Sequence, residues 1–227
     1  MEIKLIAEGS TKWERFIRHW GLSFLIGEDV LFDAFGKPKT LMENIKNLNI
    51  DISKLKHIII SHEHWDHTSG LWNVLKINNN VKVYVCKNTD KKIKEKIKSY
   101  GAELVEVDGK EYEIKPGLFS LGEMTKNGIM YEQSVCMKTE KGLIIITGCA
   151  HQGTLEIVNR TKQLFNENIY AFVGGFHLKD SCLRDISDIV EKLKLENIKY
   201  FAPLHCTGKK AVELFKSKLN CVSVNEI

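Results

Sequence analysis

The sequence predicts a mixed α/β fold of the α+β kind, built from short strands and a smaller number of helices. Runs of β-branched and aromatic residues recur throughout the 227-residue chain, and segments with helical spacing of apolar residues lie between some of them. Hairpin turns expected at residues 27–29 and 140–142 join neighbouring strands directly, which excludes a plain repeat of βαβ units. No segment rich in proline, glycine or serine interrupts the chain, so we expect a single domain over residues 1–227.

Each strand is assigned where β-branched and apolar residues are bounded by turn-forming residues, and each helix where apolar residues recur every three or four positions. The predicted strands cover residues 3–7, 22–26, 30–33, 57–61, 81–86, 103–107, 118–121, 134–139, 143–147, 170–174, 200–202 and 221–224. The predicted helices cover residues 40–47, 68–75, 90–100, 154–165, 183–195 and 208–218. Polar residues directly after several of these strands are candidates for function, because loops at strand ends commonly carry binding and catalytic groups.

The composition excludes several classes of protein. No stretch approaches the roughly 18 consecutive apolar residues that a membrane helix needs, and the opening MEIKLIAEGS does not have the pattern of a secretory signal. Six cysteines are spread without dense spacing and form no C-x-x-C pair, so we expect reduced thiols and a cytoplasmic protein. The formal net charge is +4, but the lysines lie in runs typical of a solvated helix face, which does not favour nucleic-acid binding.

The segment KHIIISHEHWDHTSGL, residues 56–71, carries the strongest chemical signal. Four side chains of the kinds that bind metals occupy six positions directly after a run of isoleucines. His62 and His64 are two apart, so on an extended backbone they point the same way and can hold one metal ion. Asp66 and His67 follow on a turning backbone, from which they can reach a second ion. Imidazole and carboxylate together suit zinc, iron or manganese.

Further side chains of these kinds follow later strands. Cys149 and His151 come after the strand LIIIT, His177 comes after YAFVG, and His205 comes after YFAP. One loop cannot supply all the ligands of two ions, so these strand ends are the expected source of the others.

The pattern H-x-H-x-D-H at residues 62–67, preceded by a strand that ends in Asp33, resembles the metallo-β-lactamase superfamily over residues 21–208. The phrases GLSFLI, GCAHQG, VGGFHL and APLHCTG resemble, more narrowly, a branch of metal-dependent hydrolases related to an archaeal dihydropterin ribofuranosyl-aminobenzene-phosphate synthase. The resemblance implies a four-layer αββα sandwich of two mixed sheets with helices on both outer faces. It also implies two divalent transition metal ions, with zinc expected and iron or manganese as alternatives.

The resemblance assigns most of the candidate residues to one of the two metals. The ligands it implies are His62, His64 and His151 for the first ion, and Asp66, His67 and His205 for the second. It implies that Asp33 accepts hydrogen bonds that orient the ligand loop. The D-T-G phrase of the family reads DAFG here, which keeps the carboxylate and changes the turn after it.

A larger departure lies where the family carries T-G-D, because the phrase here is TGC and places Cys149 at the position of an aspartate between the metals. A thiolate there could bind the metals and would favour zinc or iron, and the alternative is a small buried cysteine without metal contact. His177 is expected to protonate a leaving group or bind a phosphate, with a loop-fixing role as the alternative. The residues expected to take part in catalysis are Asp66, His177 and Asp33.

Hydrolysis of a small ester or phosphoester by a metal-activated water is the reaction that these features favour. The first alternative is a transferase like the archaeal synthase, with pyrophosphate as the leaving group. The second is a redox metalloprotein, which is disfavoured because His64 stands where that class usually has glutamate. The expected partner is a small molecule, phosphorylated or pterin-like, without a membrane, and a homodimer is an open alternative. Loops at residues 12–20, 37–39 and 124–132 are expected to shape the substrate site.

Overall fold

The computed structural model describes residues 1–10 and 20–227, which divide into two compact units, Met1–Asp108 and Gly109–Ile227. Each unit contains one six-stranded mixed sheet and its own helices, so the predicted α/β class with two sheets is confirmed. The single domain predicted over residues 1–227 stays a prediction. The loop expected at residues 12–20 lies outside the described residues, apart from Trp20. Within the described ranges, none of the helices combines the length and apolar character required to cross a bilayer.

The sheet of the first unit has its strands in sequence order. They are β1 (Ile3–Gly9), β2 (Gly21–Ile26), β3 (Val30–Phe32), β4 (His57–Ile59), β5 (Lys82–Cys86) and β6 (Glu103–Val107). The pairs β1–β2 and β2–β3 are antiparallel, and the remaining pairs are parallel. Strands β3 and β4 therefore end at the same edge of the sheet, which brings the residues that follow them together.

In the described part of this unit, four helices accompany the sheet. They are α1 (Pro38–Asn47), α2 (Trp65–Thr68), α3 (Leu71–Ile77) and α4 (Lys91–Ser99), with a 3₁₀ turn at Ile52–Lys54. Helix α1 begins with Pro38, whose fixed φ suits the first helical position, and Asp90 caps α4 by accepting a hydrogen bond from the backbone of Lys92. Their apolar faces join the strands in one core that includes Leu41, Ile58 and Val83. Burial of these side chains fixes the ends of β3 and β4 in place.

The sheet of the second unit combines an antiparallel meander with parallel strands. Its strands are β7 (Tyr112–Lys115), β8 (Leu118–Met124), β9 (Glu132–Thr139), β10 (Gly142–Thr147), β11 (Ile169–Gly175) and β12 (Tyr200–Leu204). Strands β7 to β10 pair antiparallel in turn, whereas β10, β11 and β12 are parallel. The start of β9 and the ends of β10, β11 and β12 consequently lie at one edge of this sheet.

Three helices cover the apolar strands of the second unit. They are α5 (Thr154–Leu164), α6 (Leu183–Leu195) and α7 (Lys209–Lys218), with 3₁₀ turns at His205–Thr207 and Val224–Glu226. Ile157, Val190 and Phe215 contribute one buried side chain from each helix to a core that also contains Phe172 of β11. The three parallel strands are thereby held as one rigid block, from whose ends the polar loops emerge.

Several predicted boundaries are corrected by the structure. The helix expected at residues 68–75 is two helices, α2 and α3, because the chain turns at Gly70, where a Cβ would lie 2.1 Å from the carbonyl oxygen of Ala34. The strand expected at residues 221–224 is reduced to one bridge between Phe201 and Cys221, followed by a 3₁₀ turn. Of the expected loop 37–39, the last two residues belong to α1. Strand β7 has no counterpart among the predicted strands.

Candidate functional site

The carboxylate of Asp33, fully buried just after β3, fixes the loop that follows β4. Its Oδ1 accepts a hydrogen bond from the backbone N–H of Ser61 at 2.7 Å, and its Oδ2 accepts from the Ser61 hydroxyl at 2.8 Å and from Nδ1 of His67 at 2.6 Å. Asp33 has a φ of 58°, a backbone conformation that is uncommon for residues other than glycine. Such conformations persist where the surroundings hold them, which here include the Ser23 hydroxyl bonded to the Asp33 carbonyl.

Two ring nitrogens, one from His62 and one from His64, lie close together. Nε2 of His62 lies 2.9 Å from Nδ1 of His64, and the Ser61 hydroxyl lies 2.9 Å from the other ring nitrogen of His62. Ligands bound to a tetrahedral zinc ion at about 2.0–2.1 Å are roughly 3.3 Å apart. The two rings therefore have nearly the spacing of a chelating pair, and Ser61 contacts the ring nitrogen that would not bind metal.

Asp66 and His67 form a second polar pair, on the short helix α2. Both side chains are buried, and Nε2 of His67 lies 3.4 Å from Oδ2 of Asp66. Burial lowers the pKa of His67, but the charge and hydrogen bonds of Asp33 and Asp66 outweigh it and raise that pKa to about 10. The two carboxylates thus favour a proton on this ring, and a metal ion binding to Nε2 would compete with a proton there.

In the second unit, the loop after β10 is held by Glu132, the fully buried first residue of β9. Its Oε1 accepts from the backbone N–H of Cys149 at 2.7 Å and of Ala150 at 3.0 Å, and its Oε2 accepts from that of His151 at 2.8 Å. The hydroxyl of Thr147 adds a fourth bond to Oε1 at 3.2 Å. A carboxylate that accepts several backbone hydrogen bonds forms a rigid cradle for the loop.

Glu132 was not among the candidate residues from the sequence, where it fell at the end of an expected substrate loop. A signal for it does exist in the hairpin at residues 140–142. The observed register of that hairpin pairs Thr139 with Gly142 and Val135 with Ile146. Continued by three more positions along each strand, it sets Glu132 opposite Cys149.

Four of the predicted residues lie together at the ends of the parallel strands in this unit. The potential ligand atoms of Cys149, His151 and His177 all lie within 4.8 Å of one another, and so do those of Cys149, His205 and Cys206. The rings of His151 and His177 pack with their centroids 4.2 Å apart. His177 is exposed, unlike the buried His205. Cys206 is an addition to the residues expected from the sequence.

Hydrogen bonding changes the acidity of two residues in this cluster. The hydrogen bond between His177 and Cys206 raises the pKa of the imidazole. Burial raises the pKa of the Cys206 thiol, but hydrogen bonds from Cys149 and His177 outweigh burial and bring it well below its ordinary value. His177, His205 and Ala150 also adopt positive φ angles of 49°, 48° and 55°. The strand ends thus combine strained backbone with polarised side chains, a combination typical of functional sites.

Comparison with known proteins defines the class to which this chain belongs. The model of the metallo-β-lactamase superfamily matches residues 21–132. The chain is 31% identical to the 7,8-dihydropterin-6-methyl-4-(β-D-ribofuranosyl)-aminobenzene-5'-phosphate synthase of Methanocaldococcus jannaschii, over 86% of this chain and 83% of the synthase. An uncharacterized protein of the same organism is 28% identical over 92% of each chain.

Solved structures agree with this assignment. The crystal structure of Tm1679, a metal-dependent hydrolase of the β-lactamase superfamily, has a TM-score of 0.79 and 27% identity, with 97% of this chain and 94% of that chain covered. The metallo-β-lactamase fold protein YhfI from Bacillus subtilis has a TM-score of 0.71 at 9% identity, covering 98% and 96%, which supports the fold alone. The chain belongs to the metallo-β-lactamase superfamily, and the prediction of an enzyme with this fold is confirmed.

Membership of this superfamily implies binding of divalent metal, and the side chains of both units fit such a group. In the first unit, ring nitrogens of His62 and His64 lie 2.9 Å apart, and a ring nitrogen of His67 lies 3.4 Å from a carboxylate oxygen of Asp66. In the second, thiol and imidazole groups cluster at buried strand ends. Nitrogen, oxygen and sulfur donors of these kinds suit zinc and iron.

Proposed function

We propose that the protein is a metal-dependent hydrolase that uses a dinuclear centre to cleave a small ester or phosphoester. The observation that carries the proposal is the pairing of His62 with His64, and of Asp66 with His67, on a loop locked by a fully buried carboxylate. Burying polar and charged groups is costly unless they are paired. Such buried, paired groups are therefore not expected in a loop that only connects two elements.

The proposed metal ligands are histidine, aspartate and cysteine side chains that the sequence predicts. They are His62, His64 and His151 for one ion and Asp66, His67 and His205 for the other, with Cys149 as an additional ligand. Zinc is the metal we expect, with iron and manganese as alternatives, since imidazole and carboxylate accept all three and a thiolate favours the first two. When bound, such a pair supplies a water nucleophile at neutral pH and Lewis acidity for a carbonyl or phosphoryl oxygen.

The chain's own residues orient the centre and move protons. Asp33 holds Nδ1 of His67, which leaves Nε2 as the nitrogen that faces Asp66. His177 is exposed, and its hydrogen bond with Cys206 raises the pKa of the imidazole, which favours a role as proton donor to a leaving group. We assign it to the substrate side. The substrate is a small molecule, and we place the protein in the cytoplasm.

A transferase is the second candidate, because the 31% identical relative is a synthase whose name describes a phosphorylated pterin product. In that reaction the chain would displace pyrophosphate from a pterin diphosphate, with the same residues stabilising the departing anion. The two candidates differ in the acceptor, which is water for the hydrolase and an aromatic amine for the transferase.

Metal analysis of purified variants tests the centre. We expect one to two transition-metal ions per chain in the wild type and a clear loss in His62→Ala and His67→Ala. His57→Ala is the matched control, since His57 lies at the other end of β4 and its ring is bonded to the Tyr84 hydroxyl. Unchanged metal in both ligand variants would refute the dinuclear centre.

Two further assays refine the assignment. Cobalt-substituted protein should show a thiolate charge-transfer band that Cys149→Ser removes, and a band that survives would return Cys149 to the structural residues. Turnover should then be measured on phosphoesters, lactones and pterin diphosphates, the last with and without an aromatic amine. Consumption of the diphosphate only when the amine is present would favour the transferase over the hydrolase.

A further inference from the structure

Two buried thiols, those of Cys149 and Cys206, approach each other at the edge of the second sheet. They follow β10 and β12, which are parallel and lie on either side of β11. Neighbouring strands are about 4.8 Å apart, so two strands separated by a third are roughly 9.6 Å apart. Side chains after β10 and β12 can therefore meet only if they extend towards each other past the end of β11, the strand between them.

Gly175, the last residue of β11, provides the room for this approach. A Cβ at Gly175 would lie 2.7 Å from Sγ of Cys206, 2.4 Å from the carbonyl oxygen of Gly148 and 3.4 Å from Cα of Cys149. The absent side chain leaves space in which the two sulfurs lie within 4.8 Å of each other. Sγ of Cys206 is also 3.8 Å from the Cys149 carbonyl oxygen, which keeps it on this side of the strand end.

We propose that Cys149 and Cys206 form a redox pair that closes to a reversible intramolecular disulfide when the protein encounters a hydroperoxide. One sulfur attacks the peroxide oxygen, becomes a sulfenic acid and releases an alcohol or water. The second sulfur then attacks the sulfenic sulfur, so that the S–S bond forms, the S–O bond breaks and water leaves with the thiol proton. Two thiols are oxidised by two electrons, one hydroperoxide is reduced, and a small dithiol reverses the change by exchange.

The two sulfurs have only a short distance to close before they can bond. The S–S bond requires the sulfurs to close to about 2.05 Å from a separation within 4.8 Å. The backbone N–H of His177 donates to Sγ of Cys206 at 3.3 Å and already holds one sulfur in place. The movement therefore falls mainly to the side chain of Cys149, whose backbone N–H donates to Glu132.

The consequence for metal binding rests on the proposed function, whereas the disulfide itself does not. If Cys149 is a metal ligand, the disulfide removes its thiolate, and oxidation should release or weaken metal. The disulfide is expected in metal-free protein as well, because the approach of the two sulfurs depends on the strand ends alone. Treating both metal-loaded and chelator-treated protein with peroxide therefore separates a failure of the metal assignment from a failure of the thiol pair.

Peptide mapping of the full-length protein tests the pair directly. Trypsin places Cys149 in the peptide 142–160 and Cys206 in the peptide 200–209, and each peptide contains a single cysteine. Reduced protein is treated with hydrogen peroxide, and its remaining thiols are blocked with N-ethylmaleimide. The protein is then digested, and the peptide masses are measured by mass spectrometry. We expect a linked species lighter by two hydrogen atoms than the sum of the two peptides, which disappears on reduction with dithiothreitol.

Cys182 supplies the matched control because it is exposed and begins α6, where the oxidant reaches it freely. The linked species should persist in Cys182→Ser and vanish in Cys206→Ser. If Cys182 in the wild type is oxidised while the two peptides remain unlinked, the pair is refuted. Linkage that appears only after the protein is unfolded in urea would refute it equally, because the folded strand ends would then have no part in it.

Discussion

Asp33 and Glu132 each support a loop with candidate ligands, one beside each sheet. Asp33 lies at the end of a strand, whereas Glu132 lies at the beginning of one. Asp33 follows β3, whose parallel neighbour β4 leads into the first loop. Glu132 begins β9, whose antiparallel neighbour β10 leads into the second loop. Each carboxylate therefore lies beside the end of the strand that carries the candidate ligands. A sheet can fix such a loop from either a parallel or an antiparallel neighbour.

The two carboxylates differ in what they bind. Glu132 accepts hydrogen bonds from three backbone N–H groups and the Thr147 hydroxyl, and none of these belongs to a candidate ligand side chain. Asp33 accepts one backbone N–H, the Ser61 hydroxyl and the ring of His67. Backbone N–H groups can only donate, whereas a hydroxyl and a neutral imidazole can reverse their roles. In the first unit the buried carboxylate thus bonds directly to the side chain of a candidate ligand. In the second it bonds only to the backbone and to a hydroxyl that is not a candidate ligand.

Glu132→Gln should produce the largest effect on stability. The amide places an N–H₂ group against a backbone N–H that cannot accept, and the charge that strengthened the other bonds is lost. Charged hydrogen bonds contribute about 1.5–3 kcal/mol each and an unsatisfied buried donor costs about 1–3 kcal/mol, so we expect a loss of about 3–5 kcal/mol in the free energy of unfolding. Denaturant unfolding of the metal-free protein measures it. A change below about 1 kcal/mol would show that the cradle is not needed.

The comparison also shows what could be predicted from the sequence. Periodicity predicted helix α6 to the residue, and the ends of the strands before the candidate ligands were placed within two residues, because burial imposes a clear apolar pattern. Asp33 was predicted because it ends a strand and matches the aspartate of the D-T-G phrase of the family. Glu132 was missed because its partners lie 15 to 19 residues away and only the pairing register joins them. Cys206 was missed because its contacts depend on three strand ends meeting.

His177→Ala tests a ring that neither carboxylate supports. The His177 ring packs on His151 at 4.2 Å between centroids and is exposed. We expect near-normal metal content and a rate on a responsive substrate lower by about 10²-fold, the scale for a lost general acid or anion contact. Paired metal analysis and turnover measurements decide the matter. Loss of metal would make His177 a ligand, and full activity with full metal would make it part of the scaffold.

Asp33→Asn should weaken metal binding more than it weakens the fold. The amide of Asn can donate to Nδ1 of His67 and to the Ser61 hydroxyl, so the buried partners remain paired. The proton of a neutral His67 ring is then moved to Nε2, the nitrogen that faces Asp66, and binding there becomes less favourable. We expect a loss of roughly 10–100-fold in metal affinity, measured by competition with a chromogenic chelator. If Asp33→Asn and Glu132→Gln lowered affinity and stability in the same proportion, the proposed difference between the loops would be wrong.

The smallest effects should come from removing one hydroxyl beside each carboxylate. Ser61→Ala deletes the 2.8 Å bond to Asp33, and Thr147→Val deletes the 3.2 Å bond to Glu132, so each should cost about 1 kcal/mol of unfolding free energy. The variants should separate in metal affinity, because the Ser61 hydroxyl also lies 2.9 Å from a ring nitrogen of His62, whereas Thr147 contacts the neighbouring Ser134 hydroxyl. Chelator competition should therefore show weaker binding in Ser61→Ala alone. Equal metal affinity in the two variants, at equal stability, would mean that the Ser61 hydroxyl holds only the loop and does not orient the His62 ring.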